Sequence, residues 1–182
     1  VNTLNMITCH LGNGASITAI KNGKCVNTSM GLTPLGGIMM GTRSGDIDPT
    51  VVFYMMKKLE CTPDEMDTFL NKRSGMLGVS GISSDARDIQ QAVDAGNERA
   101  KLTVDLYTNR VINVVGGYYM QLGHVDAIAF TAGLGENDAQ MRERILKDLE
   151  EGMGLSIDYE LNKTIHGKEC LISKPDSKIK VY

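Results

Sequence analysis

The 182-residue sequence lacks the features that mark several classes of protein. Its four cysteines, Cys9, Cys25, Cys61 and Cys170, stand apart with no C-x-x-C pair, and its three histidines are scattered, so no zinc-ligand spacing can be assembled. Isolated thiols of this kind read as reduced core residues. There is no basic block, and 19 Lys and Arg against 22 Asp and Glu give a net charge of −3, which provides no electrostatic grip on nucleic acid. No run of eighteen apolar residues occurs, and the first residues lack a charged region, an apolar stretch and a cleavage site, which argues against a membrane or secreted protein. The chain opens on Val1 and closes on the strand-like Ile179-Lys180-Val181-Tyr182, so it reads as a piece of a longer cytoplasmic protein. No internal repeat and no low-complexity segment is present.

What remains is an ordinary globular balance, 42% hydrophobic and 23% charged, over a length that suits one good-sized domain or two small ones. Three β-rich segments come first: Thr3 to Cys9, Ala15 to Ile20 and Lys24 to Ser29. Asn22-Gly23 suits a tight type I′ turn between the last two, which predicts an antiparallel meander. Gly31 to Asp48 then carries five glycines in its first fifteen residues with neither helical period nor strand alternation, yet it holds Leu32, Leu35, Ile38, Met39 and Met40. That apolar content favours an ordered, functional loop.

Helices follow. Asp48 with Pro49 opens one over Thr50 to Leu59, and Thr62-Pro63-Asp64-Glu65 is a capping box for a second over Asp64 to Lys72. Gly75 to Gly81 reads as a glycine-rich connector. Ser84 or Asp85 caps Ala86 to Asp94, and a long helix is predicted from Asn97 to about Leu122 on an apolar stripe of Leu102, Leu106, Val111, Val114 and Val115. Val125 to Thr131 reads as a buried strand, Asn137 or Asp138 starts a helix through Leu149, and two weak strands are expected near Glu169 to Ser173 and Lys178 to Tyr182. The order β-β-β, helices, β, helix, β fits a mixed sheet with helices packed on it.

Four constellations can carry chemistry. His10-Leu11-Gly12-Asn13-Gly14 lies between two strands, where small residues let backbone N–H groups approach an anion and Asn13 adds an amide donor; the alternative is a plain turn using Asn-Gly for positive φ. Gly133-Leu134-Gly135-Glu136-Asn137 lies between a strand and a helix, where a glycine turn can receive a phosphate or a nucleotide. It is neither GxGxxG nor a Walker A, and a plain capped turn is its alternative. Arg43, between glycines in the long loop, suits a carboxylate or the charge on a transferring phosphoryl group, unless it is tied to Asp46 or Asp48 in a structural ion pair. Ser83-Ser84-Asp85-Ala86-Arg87-Asp88 is an acidic–basic cluster at a helix start and is most simply a cap. Asp46 and Asp48 resemble a magnesium pair only superficially, since Asp48 before Pro49 is better spent as a cap.

Taken together, ITCHLGNGASITAIKNGK, TSMGLTPLGGIMMGTRSGDIDP, SGISSDARDI and VDAIAFTAGLGEN closely resemble the acetate kinase family in order and spacing, over essentially the whole chain. The resemblance implies the actin-like ATPase (ribonuclease H-like) α/β fold with its βββαβαβα core. It further implies that residues 1–182 are a single C-terminal nucleotide-binding domain of a two-domain kinase, truncated at both ends. By the same resemblance His10, Leu11, Gly12, Asn13 and Gly14 face the nucleotide phosphates, with His10 and Asn13 at the active site. Gly133, Leu134, Gly135, Glu136 and Asn137 form the adenosine side, with Asp85, Ala86 and Arg87 as its other wall, and Arg43 stabilises the transition state.

The implied reaction is ATP + acetate ⇌ ADP + acetyl phosphate, dependent on Mg²⁺, by direct in-line transfer in a cytoplasmic homodimer. The family's catalytic aspartate and magnesium ligands have no counterpart in this chain, so no metal ligand is expected here and the chain alone is expected to be nearly inactive. A propionate or butyrate kinase of the same superfamily, and a non-catalytic nucleotide-binding or dimerisation module, are the competing readings.

Overall fold

The computed structural model describes residues 3–182, and the chain divides into two compact units, Val1–Ser29 with Thr108–Tyr182, and Met30–Tyr107. The first holds a mixed sheet of β1 (Met6–Leu11), β2 (Ala15–Lys21), β3 (Lys24–Thr28), β4 (Ala127–Thr131) and β5 (Lys180–Val181), in the spatial order β3-β2-β1-β4-β5. β1, β2 and β3 are antiparallel neighbours, whereas β1 with β4 and β4 with β5 are parallel. This is the mixed α/β sheet of the actin-like ATPase fold. Eight helices accompany it among the described residues: α1 (Pro49–Leu59), α2 (Pro63–Lys72), α3 (Gly75–Ser80), α4 (Ala86–Asp94), α5 (Glu98–Leu122), α6 (Ala132–Asn137), α7 (Ala139–Met153) and α8 (Tyr159–Thr164). None is long and apolar enough to cross a membrane.

Strict alternation builds β1 and β2. Ile7, Cys9 and Leu11 of β1 and Ala15, Ile17 and Ala19 of β2 are fully buried, while the residues between them are not. Asn22 and Gly23 both take positive φ, 51° and 72°, as the type I′ turn requires. β1 runs two residues further than its apolar run suggests. Leu11 pairs with Ala15 and belongs to the buried face, so His10 and Leu11 are strand residues and the turn is Gly12 to Gly14 alone.

Of the four thiols only Cys9 is buried, and burial pushes its pKa up to about 12; Cys25 is exposed and Cys61 and Cys170 are half-buried, so the expectation of core cysteines holds for one residue. In the long α5 the buried line is Ala100, Val104, Tyr107, Val111, Val115, Tyr118 and Leu122, and Leu102 and Leu106 face outward. Near the tail, the six-residue α8 was not foreseen. The expected strand at Glu169 to Ser173 is reduced to one bridge between Ser173 and Ile157, although Ile172 still donates to Val181 O at 2.8 Å.

In the second unit the loop before α1 contains no helix or strand, yet Gly37 to Gly41 are buried. Backbone bonds hold it. Asp46 N donates to Gly37 O at 2.7 Å, and Gly37 N donates back to Asp46 Oδ1 at 2.7 Å. Gly75 to Gly81, expected as a connector, is helical as far as Ser80. Its opening N–H groups, which a helix cannot satisfy itself, donate to the loop: Ser74 N to Thr42 O, Met76 N to Met40 O and Leu77 N to Gly41 O, at 2.9, 2.8 and 2.9 Å. These non-local bonds override the weak helix propensity of two glycines.

Gly75 sits at φ 62°, and a Cβ there would stand 2.7 Å from Arg43 O. Gly75→Ala is therefore expected to lower unfolding free energy by about 2 kcal/mol or more, combining left-handed strain with a backbone collision. Chemical denaturation measures this, and a change within ~0.5 kcal/mol would contradict the packing described.

Candidate active site

In the first unit the C-terminal ends of two adjacent parallel strands are brought side by side. β1 feeds the Gly12–Gly14 turn, β4 feeds α6, and His10 is the register partner of Thr131. None of Gly12, Asn13 and Gly14 takes a positive φ, so the plain-turn explanation for Asn-Gly does not apply here. The requirement at Gly12 is space. A Cβ on it would lie 3.2 Å from Gly14 O and 3.4 Å from the Ala132 side chain. Gly135 is buried for the same reason, since a Cβ would approach Phe130 C at 3.2 Å and Cys9 O at 3.5 Å. The two glycines let the turn and α6 lie against each other and against the sheet.

The AGLGEN segment is a short helical turn rather than an open glycine loop. Its strained residue is Ala132, at φ 65°, a left-handed conformation unusual for a residue with a side chain. Ala132 N donates to Glu136 Oε1 at 2.9 Å, and Asn137 Nδ2 donates to Gly133 O at 3.1 Å, so both polar side chains of the motif brace its own backbone. Leu134 O accepts Asp138 N at 3.0 Å, and Asp138, rather than Asn137, caps α7. Gly133 is exposed with open space where its Cβ would be. Asn13 is exposed at the tip of the neighbouring turn.

α6 is held from behind by Arg142, which is 3% exposed. Its Nη1 donates to Gly135 O at 2.9 Å, its Nε to Asn162 Oδ1 at 2.7 Å, and its Nη2 to Asn162 O at 3.0 Å and Ile165 O at 3.1 Å. Burial lowers the guanidinium pKa, an effect the charge of Asp138 opposes, and the hydrogen bonds it donates go to carbonyl and amide oxygens. Sequence reasoning missed Arg142, Asn162 and Thr131. Each acts through a partner 20 or more positions away, and only Arg142 leaves a trace, as a cation on the apolar face of α7 beside Met141 and Ile145.

In the second unit Arg43 is half-buried in the ordered loop. It is not paired with an aspartate: Asp46 accepts Gly37 N, Asp48 caps α1 by accepting Thr50 N at 2.8 Å, and Arg43 Nη1 meets Met40 Sδ at 3.7 Å. The guanidinium therefore keeps most of its donors for a ligand.

Asp85 caps α4 by accepting Arg87 N at 2.9 Å and also binds the Arg87 side chain, with Nη2 to Oδ2 at 2.5 Å. Ala86, the first residue of α4, is buried. The side-chain and backbone bonds from Arg87 hold the Asp85 carboxyl down to about 2.

A profile of the Acetokinase family matches residues 1–182. The chain belongs to the acetate kinase family. The acetate kinases of Finegoldia magna and Clostridium botulinum strain Hall are each 56% identical to it over 179 residues, covering 98% of this chain and 45% of theirs. A solved acetate kinase from Porphyromonas gingivalis superposes with a TM-score of 0.95 at 47% identity, covering 99% of this chain and 45% of that one. A propionate kinase from Francisella tularensis superposes at 0.89 with 40% identity, covering 99% and 46%. The chain thus spans about half the length of the kinases it matches.

The depressed Asp85 pKa has a definite consequence. Its folded value of about 2 lies below the ordinary 3.8, so its contribution to stability is complete above 3.8 and is lost as pH falls through about 2. A carboxyl-carbon NMR titration is expected to place the Asp85 midpoint near 2, and a midpoint near 3.8 would contradict the cap-and-pair geometry.

Proposed function

We propose that this chain supplies the C-terminal, nucleotide-binding half of an acetate kinase catalysing ATP + acetate ⇌ ADP + acetyl phosphate by direct in-line transfer. The observation that carries the proposal is the close approach of the Gly12–Gly14 turn to α6 at the ends of β1 and β4, in a chain of this family. Phosphoryl transfer asks a protein mainly for positioning and for neutralisation of spread charge. Backbone N–H groups of residues 11–14, the Asn13 amide and the His10 ring supply oriented donors for the nucleotide phosphates. Gly133 to Asn137 serve the adenosine side. Arg43, with its donors uncommitted to any carboxylate, stabilises charge on the transferring group.

Mg²⁺ is the implied cofactor, yet the described residues include no group of three or more His, Cys, Asp or Glu placed to hold a metal ion. Self-association as a homodimer is supported by α1, which buries none of its residues and exposes Val51, Phe53, Tyr54 and Leu59. A monomer in sedimentation of the full-length protein would refute it. A cytoplasmic location follows from the nucleotide and acyl substrates of the proposed reaction.

The propionate kinase match favours a second reading, in which the acyl acceptor is propionate. Acyl specificity of the full-length enzyme separates the two. For Arg43→Ala in that enzyme, kcat is expected to fall roughly 10²–10³-fold, the effect of losing one oriented transition-state donor. Normal kcat with only a raised acetate KM would make Arg43 a ground-state binder instead.

A further inference from the structure

Thr131 occupies the N-cap of α6 with extended backbone angles of −137° and 171°, and yet its side chain makes no capping bond. A threonine there ordinarily turns its hydroxyl onto an N–H of the first turn. Here the Glu136 carboxylate takes Ala132 N, and Thr131 Oγ1 lies 3.0 Å from His10 Nδ1 across the parallel β1–β4 pair. The hydroxyl has thus been withdrawn from the helix and spent on a histidine of the neighbouring strand.

A neutral imidazole has one N–H and one lone pair, whereas a hydroxyl can donate one proton and accept at two lone pairs. Among the described residues Thr131 Oγ1 has no other hydrogen-bond partner, so His10 Nδ1 is the acceptor within reach of its proton. The ring nitrogen that is held decides what the other one offers. With Nδ1 accepting, Nε2 carries the proton and presents a donor; with Nδ1 donating, Nε2 presents a lone pair, which repels an anion.

We propose that Thr131 is a positioning residue whose hydroxyl donates to His10 Nδ1 and holds the ring in the Nε2–H tautomer, so that Nε2–H is offered to an anionic oxygen of the phosphate chain. The inference rests on the phosphate-handling reading of the β1–β2 turn. It assigns to Thr131 the orientation of His10, and to Glu136 the capping duty that Thr131 gives up.

The test uses the full-length protein, ¹⁵N-labelled at histidine, at a pH where the ring is neutral, with the His10 signals assigned by their loss in His10→Gln. Nδ1 is expected to resonate as the unprotonated nitrogen and Nε2 as the protonated one. Thr131→Val is expected to shift His10 toward a mixture of tautomers and to lower kcat about tenfold with acetate KM unchanged, the cost of one misdirected hydrogen bond to a charged group. Thr131→Ser restores both, and an unaltered unfolding transition in the valine variant separates loss of orientation from loss of fold. A protonated Nδ1 in the parent protein, or a Thr131→Val enzyme with the parent kcat, overturns the proposal. If the full-length protein makes no acetyl phosphate, the kinase reading fails, and the spectra alone still decide whether Thr131 is the donor.

Discussion

The first unit depends on one constraint: two backbone segments must leave adjacent parallel strands and remain in contact. Antiparallel pairing puts consecutive turns at opposite ends of a sheet, whereas the β1–β4 pair puts both exits at the same end. Side chains at position 12 or 135 would push the turn and α6 apart, and that is where glycine is found. The left-handed Ala132 shows that the exit from β4 is held in a conformation it would not adopt unaided.

That strain is offset by a polar network lying under it. Arg142 places a full positive charge in the interior and satisfies it with three backbone carbonyls and the Asn162 amide oxygen. Asn162, itself fully buried, returns a bond to Ala139 O at 2.9 Å. A buried network is worth its desolvation only when every member is satisfied, and this one joins α6, α7, α8 and the segment after it into a rigid support. The second unit uses a different device for the same end. There the loop that carries Arg43 takes its order from backbone bonds to α3 and to its own glycines, leaving the guanidinium committed to no carboxylate.

Local devices were legible in the sequence. The Asn22-Gly23 hairpin, the Asp48 cap and the Thr62–Glu65 capping box each depend on residues within four positions, and all three form as their chemistry dictates. Features that depend on distant partners were not. α3 is helical because a loop some thirty residues earlier accepts its first N–H groups, and no propensity of GMLGVS reveals that. α8 is too short to show a period. The stripe of α5 was legible at Val111 and Val115, which are buried, and not in its first turns, where Leu102 and Leu106 are exposed while Ala100, Thr103 and Tyr107 are inside. At the site, the glycines and Arg43 were visible as residue types, but the reason for Gly12 was legible only once Ala132 stood beside it.

The central claim is that the turn after β1 and the turn after β4 form one nucleotide cleft, and calorimetric titration of the full-length protein with ADP tests it most directly, with Gly133→Val as the paired variant. A valine side chain at 133 would project into open space rather than into protein, so its effect reports on the ligand and not on packing. Saturable binding that Gly133→Val abolishes is the predicted result. Absence of binding by the folded protein, or binding that the valine leaves undiminished, would contradict the assignment of α6 to the nucleotide.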